Sequence, residues 1–201
     1  MTGVLKRYRQ EAACQLHDAR TWYAARSFDD LAALTADWLK GDLVRHPNGH
    51  HTGPDPETLP LLGALAAANR GGFLTDGSQP GELETFLGRP WRQRAFVSGF
   101  VADHLLALAL TEQAAAAGLL VRAHPPRIRH KDAEPGSVDV TTCGDRVNTD
   151  CGDHLPPREI WRIFLCCHPH AVRAVIDTWQ ITLIDPQWGR NTLLWPLLNR
   201  L

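Results

Sequence analysis

The chain of 201 residues lacks an apolar run long enough to span a bilayer, and its start, MTGVLKRYRQEAACQL, lacks the apolar core of a secretion signal. The expected location is therefore the cytoplasm. Lysine and arginine number 21 against 22 acidic residues, which leaves no excess charge to attract nucleic acid or a membrane surface. Five cysteines without a secretory context predict free thiols rather than a disulfide framework.

The sequence also lacks the common catalytic signatures. There is no GxGxxG after a first strand, no GxSxG, no Walker-type loop, no HExxH and no kinase motif. The usual nucleotide-binding fold of methyltransferases is thus not supported, and a hydrolase would need scattered residues. Two groups of potential metal ligands lack the C-x2-C spacing of structural zinc sites, so no metal is expected; they are Cys143, Cys151 and His154, and Cys166, Cys167, His168 and His170.

The order of strand and helix patterns predicts a single α+β domain with a mixed, mostly antiparallel sheet and flanking helices. An N-terminal helical arm is expected over 1–26 and the α+β domain over 27–201. Helices are predicted at 5–23, 28–40, 57–70, 103–117, 170–178 and 192–198. Strands are predicted at 73–74, 91–101, 119–123, 138–143, 160–167 and 179–184, and loops at 46–56, 125–135 and 144–157.

The segment ETLPLLGALAAANRGGFLTDGSQPG, over 57–81, is the most informative part of the chain. Asp55 and Pro56 suit a helix start, Leu59 begins an apolar face at helical spacing, and two glycines end the helix. After the apolar pair at 73–74, residues 75–81 have strong turn chemistry. The sequence therefore predicts a helix, a short buried strand and a turn.

Thr75, Ser78 and Gln79 stand at the end of that predicted strand. Hydroxyl and amide groups there either stabilise the turn or contact a polar ligand. Core packing by itself does not require hydroxyl groups at this position. The pattern therefore marks the strand end as a candidate ligand site.

This segment resembles the S-adenosylmethionine-binding regulatory domain of eukaryotic methylenetetrahydrofolate reductases. That domain carries a helix beginning Glu-Thr, then Asn-Arg-x-Gly, a hydrophobic pair and Thr-x-x-Ser-Gln-Pro. The matching residues are Glu57, Thr58, Asn69, Arg70, Gly72, Phe73, Leu74, Thr75, Ser78, Gln79 and Pro80. Weaker matches are QRAF at 93–96, ITLID at 181–185 and NTLLW at 191–195. A short family of uncharacterised actinomycete proteins is also similar and supplies no activity.

The resemblance implies an S-adenosylmethionine site, with the loop at 46–56 closing over the ligand. Matching binding positions are Glu57, Thr58, Thr75, Ser78 and Gln79, and Thr141 is similar to a further binding threonine. The carboxylate of Glu57 suits an ammonium or sulfonium group, although an acid at a helix start also interacts favourably with the helix dipole. Trp188 either packs or stacks on a purine.

A single regulatory-like domain leaves three interpretations open. The first is an enzyme of bacterial specialised metabolism that displaces methylthioadenosine intramolecularly and releases homoserine lactone, an azetidine acid or 1-aminocyclopropane-1-carboxylate. Glu57 is then the candidate base, with His50, His51 and Tyr8 as alternatives. Methyl transfer to a second substrate is a variant of this hypothesis.

The second interpretation is a sensor that regulates a partner protein, and the third is an unrelated scaffold. For the first two, the expected partner is the small molecule S-adenosylmethionine, with no other cofactor, no nucleic acid and no membrane. The sequence leaves a homodimer open.

Overall fold

The computed structural model describes residues 16–49, 53–133 and 136–201. Residues 16–24 are helical and form α1. The later helices are α2 (Phe28–Lys40), α3 (Leu62–Arg70), α4 (His104–Ala116), α5 (Pro157–Ile163), α6 (Pro169–Ile176) and α7 (Leu194–Leu198). The strands are β1 (Phe73–Gln79), β2 (Glu82–Phe86), β3 (Arg89–Val101), β4 (Leu120–His124), β5 (Val138–Cys143), β6 (Arg146–Cys151) and β7 (Trp179–Trp188). Two 3-10 helices span Pro56–Leu61 and His130–Asp132.

The long strand β3 organises one seven-stranded sheet in which every pairing is antiparallel. Its C-terminal half pairs with β1 on one side and β7 on the other. Its N-terminal half pairs with β2 and β5. β4 extends the sheet beyond β7, and β6 extends it beyond β5. The predicted single α+β domain with flanking helices is confirmed.

The helix α2 shows how local sequence sets one element. Ser27 accepts a hydrogen bond from the backbone N–H of Asp30, and the Asp30 carboxylate accepts one from the N–H of Ser27. This reciprocal capping box satisfies two N–H groups that the helix leaves without partners. At the other end Gly41 adopts the left-handed conformation and ends the helix. The predicted helix at 28–40 is confirmed at both ends.

The two faces of the sheet have different chemistry. One face packs on the helices, and its buried residues include Val97, Ile181 and Leu183. Successive side chains of a strand point to opposite faces, so Ser98 and Thr182 lie on the other face. A small separate cluster of Phe96, Ile184 and Val140 covers part of that second face.

The helix α1 is joined to the domain by buried contacts. The side chain of Trp22 is 1 % exposed, belongs to the main core and donates to the Arg45 carbonyl at 2.8 Å. The buried carboxylate of Asp18 accepts hydrogen bonds from the N–H groups of Val44 and Arg45. The rest of the predicted helix at 5–23, including Tyr8, lies outside the described residues, as do His50 and His51.

Several sequence predictions are confirmed within one or two residues. They are the helices at 103–117 and 170–178, and the strands at 91–101, 119–123 and 138–143. The strand predicted at 179–184 begins where expected and continues to Trp188. Each of these segments combines a strong periodic pattern with a recognisable start or stop residue.

Two predicted elements are wrong. The run at 160–167 is not a buried strand, because residues through Ile163 belong to α5 and the rest form a turn. A short apolar run does not distinguish strand from helix, and Pro157 at the first helical position was the available signal. The predicted loop at 144–157 contains β6, which pairs with β5 to form a hairpin.

The segment at 57–81 also differs from its prediction. Leu59 is 57 % exposed, because the first turn is a 3-10 helix whose tighter winding shifts the apolar face. Asp55 makes no side-chain cap to that helix. Residues after Thr75 do not form a turn but continue β1 to Gln79, and the unpredicted strand β2 follows.

Candidate functional site

A cleft forms where β1 meets α2 and the 3-10 helix at 56–61. We call it the Thr75 cleft. It has a volume of about 140 Å³ and is lined by Thr35, Trp38, Leu39, His46, Asn48, Asp55, Thr58, Leu65, Thr75, Asp76, Gly77 and Ser78. Three of the predicted binding residues, Thr58, Thr75 and Ser78, thus share one cavity although they come from separate elements. Hydroxyl groups from two sides suit a small polar ligand.

Thr75 is held firmly at the wall of the Thr75 cleft. Its hydroxyl accepts a hydrogen bond from Nδ2 of Asn69 at 2.7 Å, and its backbone N–H donates to Oδ1 of the same residue at 3.1 Å. Asn69 also donates to the carbonyl of Leu65. The Thr75 hydroxyl therefore accepts inside the protein and keeps its own proton to donate to a ligand.

Ser78 and Thr58 face the cleft with more freedom. Both side chains are half-buried. The backbone N–H of Thr58 donates to the Asp55 carbonyl, which fixes the turn that carries its side chain. The described residues offer no hydrogen-bond partner to the Ser78 hydroxyl. Both hydroxyl groups can therefore bind a carboxylate or an amine that enters the cleft.

Glu57 does not line the Thr75 cleft. Its side chain is exposed, and it lies close enough to Glu82 to act on that residue's charge. Burial, followed by the negative charges of Glu84 and Glu57, raises the pKa of Glu82 above its usual value. The structure thus places Glu57 near Glu82 rather than among the hydroxyl groups of the cleft.

Gln79 and Thr141 contact each other, away from the cleft. The Thr141 hydroxyl donates to Oε1 of Gln79 at 3.1 Å, and Nε2 of Gln79 donates to the carbonyls of Arg94 and Val140, both at 2.9 Å. Both side chains are buried. Both N–H donors of the Gln79 amide are hydrogen-bonded to backbone carbonyls. The pair therefore links strands of the sheet and has no amide N–H left to donate to a ligand.

Asp76 is the site residue that the sequence reasoning missed. It lies at the bulge where β1 shifts register between Thr75 and Gly77. Its carboxylate has no partner among the described residues, and burial raises its pKa from 3.8 to about 6. An unpaired acid beside a cavity is a feature of functional sites. Asp-Gly is a signal for a bulge inside a strand as well as for a turn, and the residues around it at 75–81 favour the turn.

The candidate metal ligands do not converge. Cys143 and Cys151 lie at opposite ends of the β5–β6 hairpin, about 17 Å apart at the usual rise per residue. Burial, with a smaller effect from Asp150, raises the pKa of the Cys151 thiol to about 12, so the thiolate is disfavoured. Within the described ranges, no group of three histidine, cysteine or acidic side chains is arranged to hold a metal ion.

Trp188 is the last residue of β7. The guanidinium carbon of Arg94 lies 4.1 Å from the centre of its ring, a cation–π arrangement. Among the helices in the described part of the chain, none is both long and apolar enough to cross a membrane.

The fold and the cleft define an α+β protein with an all-antiparallel sheet and a candidate site for a small polar molecule. The chain belongs to the family described as a domain of unknown function, DUF6919, whose model matches residues 17–201. A search of curated proteins finds no match.

Proposed function

We propose that this protein binds S-adenosylmethionine in the Thr75 cleft and consumes it by an intramolecular displacement. The observation that carries the proposal is the gathering of Thr58, Thr75 and Ser78 around one cavity beside an unpartnered carboxylate. Those three positions are among the five that the resemblance at 57–80 marks for ligand contact; the other two, Glu57 and Gln79, do not line the cleft.

The cleft suits the aminobutyryl end of the ligand. A cavity of 150 Å³ holds six carbon atoms in a benzene ring, so a cavity of about 140 Å³ is close to the size of this group, which has about seven non-hydrogen atoms. The hydroxyl groups would hold its carboxylate, and Asp76 would face its ammonium or sulfonium charge. The adenosyl part would extend beyond the cavity.

Holding this chain folded would bring an internal nucleophile near the γ-carbon. In every version the new bond forms at the γ-carbon, the γ-carbon–sulfur bond breaks, and sulfur keeps the electron pair as neutral methylthioadenosine. Attack by the carboxylate oxygen gives homoserine lactone and needs no base. Attack by nitrogen or by the α-carbon gives an azetidine acid or 1-aminocyclopropane-1-carboxylate, and one proton must pass to a base.

Asp76 replaces Glu57 as our candidate base, because Asp76 lines the cleft and Glu57 does not. A carboxyl with a pKa of about 6 is ionised at pH 7.5 and is a stronger base than an ordinary aspartate. Its burial therefore favours the versions of the reaction that remove a proton.

The test is to incubate the purified protein with S-adenosylmethionine and to follow binding heat and small-molecule products by calorimetry and mass spectrometry. We expect methylthioadenosine together with one cyclised four-carbon product. Ser78→Ala should weaken binding about tenfold, since one hydrogen bond to a charged group is lost. Thr85→Ala, an exposed hydroxyl on β2, is the matched control and should change nothing.

Asp76→Asn should lower methylthioadenosine release at least about a hundredfold if a proton is removed in the reaction. Unchanged release with lactone as the product would assign the step to carboxylate attack. If the protein binds S-adenosylmethionine tightly and the ligand is recovered intact, the protein is a sensor and not an enzyme. Absence of binding would refute both.

A further inference from the structure

A second cavity lies on the opposite face of the sheet. We call it the sheet cavity. Its volume is about 250 Å³, and its lining includes Ser98, Thr182 and Gln180 from the central strands, Asp150 and Asp153 from the hairpin side, and Asp76. Asp76 lines both this cavity and the Thr75 cleft, because the bulge places it at the edge of β1. The proposed S-adenosylmethionine site does not account for this space.

The floor of the sheet cavity presents a hydroxyl without a protein partner. Thr182 is 8 % exposed, yet its hydroxyl has no hydrogen bond within the described ranges. Ser98, its register partner on β3, makes only one long contact of 3.5 Å to the Gly77 carbonyl. The Thr182 hydroxyl stays accessible from the cavity, so it can exchange water for a hydrogen bond to a ligand.

The walls of the sheet cavity are fixed by hydrogen bonds that do not involve the hydroxyl groups of its floor. Gln180 exchanges two hydrogen bonds with the backbone of Leu155, at 2.7 and 2.9 Å. The Nε2 atom of His124 is 2.9 Å from the Gly152 carbonyl. These contacts hold the loop after β6 against β4 and β7, so the cavity is formed before any ligand enters.

The charged side chains of the lining are mainly carboxylates, and the Arg122 side chain packs against its Gly152. Three aspartates, Asp76, Asp150 and Asp153, surround the cavity, and its described lining contains neither lysine nor arginine. One carboxylate oxygen of Asp153 accepts from the Gly136 N–H, and Asp76 has no partner. Carboxylates above a floor of hydroxyl groups match a protonated amine, which donates up to three hydrogen bonds.

We infer that the sheet cavity is a second ligand site, which takes a small protonated primary amine. By comparison with benzene in 150 Å³, a cavity of about 250 Å³ holds about ten non-hydrogen atoms. The ammonium group lies between Asp76 and the hydroxyl groups of Thr182 and Ser98, and the mouth carries Asp150 and Asp153. The two proposed sites share Asp76, but the rest of the sheet cavity lies on the other face of the sheet, so this inference does not require S-adenosylmethionine to bind in the Thr75 cleft.

The test uses three probes of equal chain length and different charge on the full protein without S-adenosylmethionine. They are 1,4-diaminobutane, 1,4-butanediol and succinate, each titrated by calorimetry. We expect the diamine to bind, the diol to bind at least about tenfold more weakly, and succinate not to bind. Equal binding of diamine and diol, or no binding of the diamine at 10 mM, a concentration on the order of the weakest specific affinities, would overturn the inference.

Two variants locate the diamine. Thr182→Val keeps the shape of the side chain and removes its hydroxyl, so diamine binding should weaken about tenfold. Asp145→Asn, an exposed acid at the hairpin turn outside the cavity, is the matched control and should leave binding unchanged. Binding that responds equally to both variants would refute the location.

The same titrations separate this inference from the proposed function. Thr182→Val should leave S-adenosylmethionine binding unchanged, and Ser78→Ala should leave diamine binding unchanged. If the protein binds only one of the two ligands, the proposal for the other ligand's site is refuted and the first is unaffected.

Discussion

At the scale of single residues, Asp76 is the most informative position. Its carboxylate lies at a strand bulge between two cavities, without a partner among the described residues. An ionised carboxyl that has lost part of its water without gaining a hydrogen bond destabilises the folded state. Such a cost is a frequent feature of functional positions.

Asp76→Asn should therefore stabilise the protein at neutral pH. A carboxyl whose pKa rises from 3.8 to about 6 on folding costs up to about 3 kcal/mol when ionised, and partial exposure of the side chain lowers this figure. The folded state holds the proton more tightly, so wild-type stability falls as pH rises from about 4 through 6. The gain from Asn should be largest above pH 6 and shrink towards pH 4.

Urea denaturation of both proteins between pH 4 and 8 measures this difference. Asp145→Asn serves as the control, because Asp145 is exposed. A variant no more stable than wild type at pH 7.5 would show that a solvent or protein partner compensates the charge. Because the variant folds at least as well, loss of turnover in Asp76→Asn is a chemical effect and not unfolding.

The predicted binding residues show which features of the candidate site can be predicted from the sequence. Thr58, Thr75 and Ser78 line one cavity. Gln79 and Thr141 are hydrogen-bonded to each other, and Glu57 is exposed and does not line the cleft. A residue's type indicates which chemistry it can perform, but the direction of its side chain follows from register and bulges that the sequence does not show.

At the scale of elements, β3 explains why one glycine is needed. A Cβ at Gly99 would collide with the Leu74 carbonyl oxygen and lie 2.9 Å from the Thr75 Cα, both in β1. Backbone atoms of a paired strand cannot move away without breaking the pairing. Gly99 thus permits β1 to approach β3 closely next to the Asp76 bulge.

Gly99→Ala should cost about 1–3 kcal/mol of stability, as overpacking does, and should also weaken ligand binding in the Thr75 cleft. Gly63→Ala is the matched control, since Gly63 lies inside α3 with open space around it. That change should stabilise by about 0.5–1 kcal/mol. Thermal and urea denaturation measure both effects, and an equally stable Gly99→Ala would refute the close-packing argument.

The elements also show which sequence signals are reliable. α2 has a capping box and a glycine stop, and both of its predicted ends are correct. α5 has an apolar run of strand length and was predicted as a strand. The difference is physical, because caps are local hydrogen bonds, whereas the choice between helix and strand in a short apolar run depends on distant partners.

At the scale of the whole molecule, Gln79 stands where the two halves of the sheet meet. It reaches from β1 to β3 and to β5, whose residues are far away in sequence. The hairpin β5–β6 pairs with β3 only at Trp91–Gln93. Side-chain hydrogen bonds from Gln79 therefore supplement a short strand pairing at this junction.

Gln79→Leu should destabilise the protein by about 2–4 kcal/mol, because it leaves two carbonyls and the Thr141 hydroxyl buried without their partner. Gln113→Leu on the exposed side of α4 is the matched control, expected within about 0.5 kcal/mol of wild type. Denaturation followed by circular dichroism measures both. A loss below about 1 kcal/mol would mean that water replaces Gln79 at the junction.

The sequence by itself determined the α+β class, the capped helices, the central strand at 91–101 and the hydroxyl residues of the cleft. These follow from short-range periodicity, caps and residue chemistry. Only the tertiary structure decided that Asp76 lies between two cavities, that Gln79 bonds Thr141 and that α5 is a helix. Each of these depends on contacts between segments distant in sequence, whose register and bulges are set by the packing of the whole sheet.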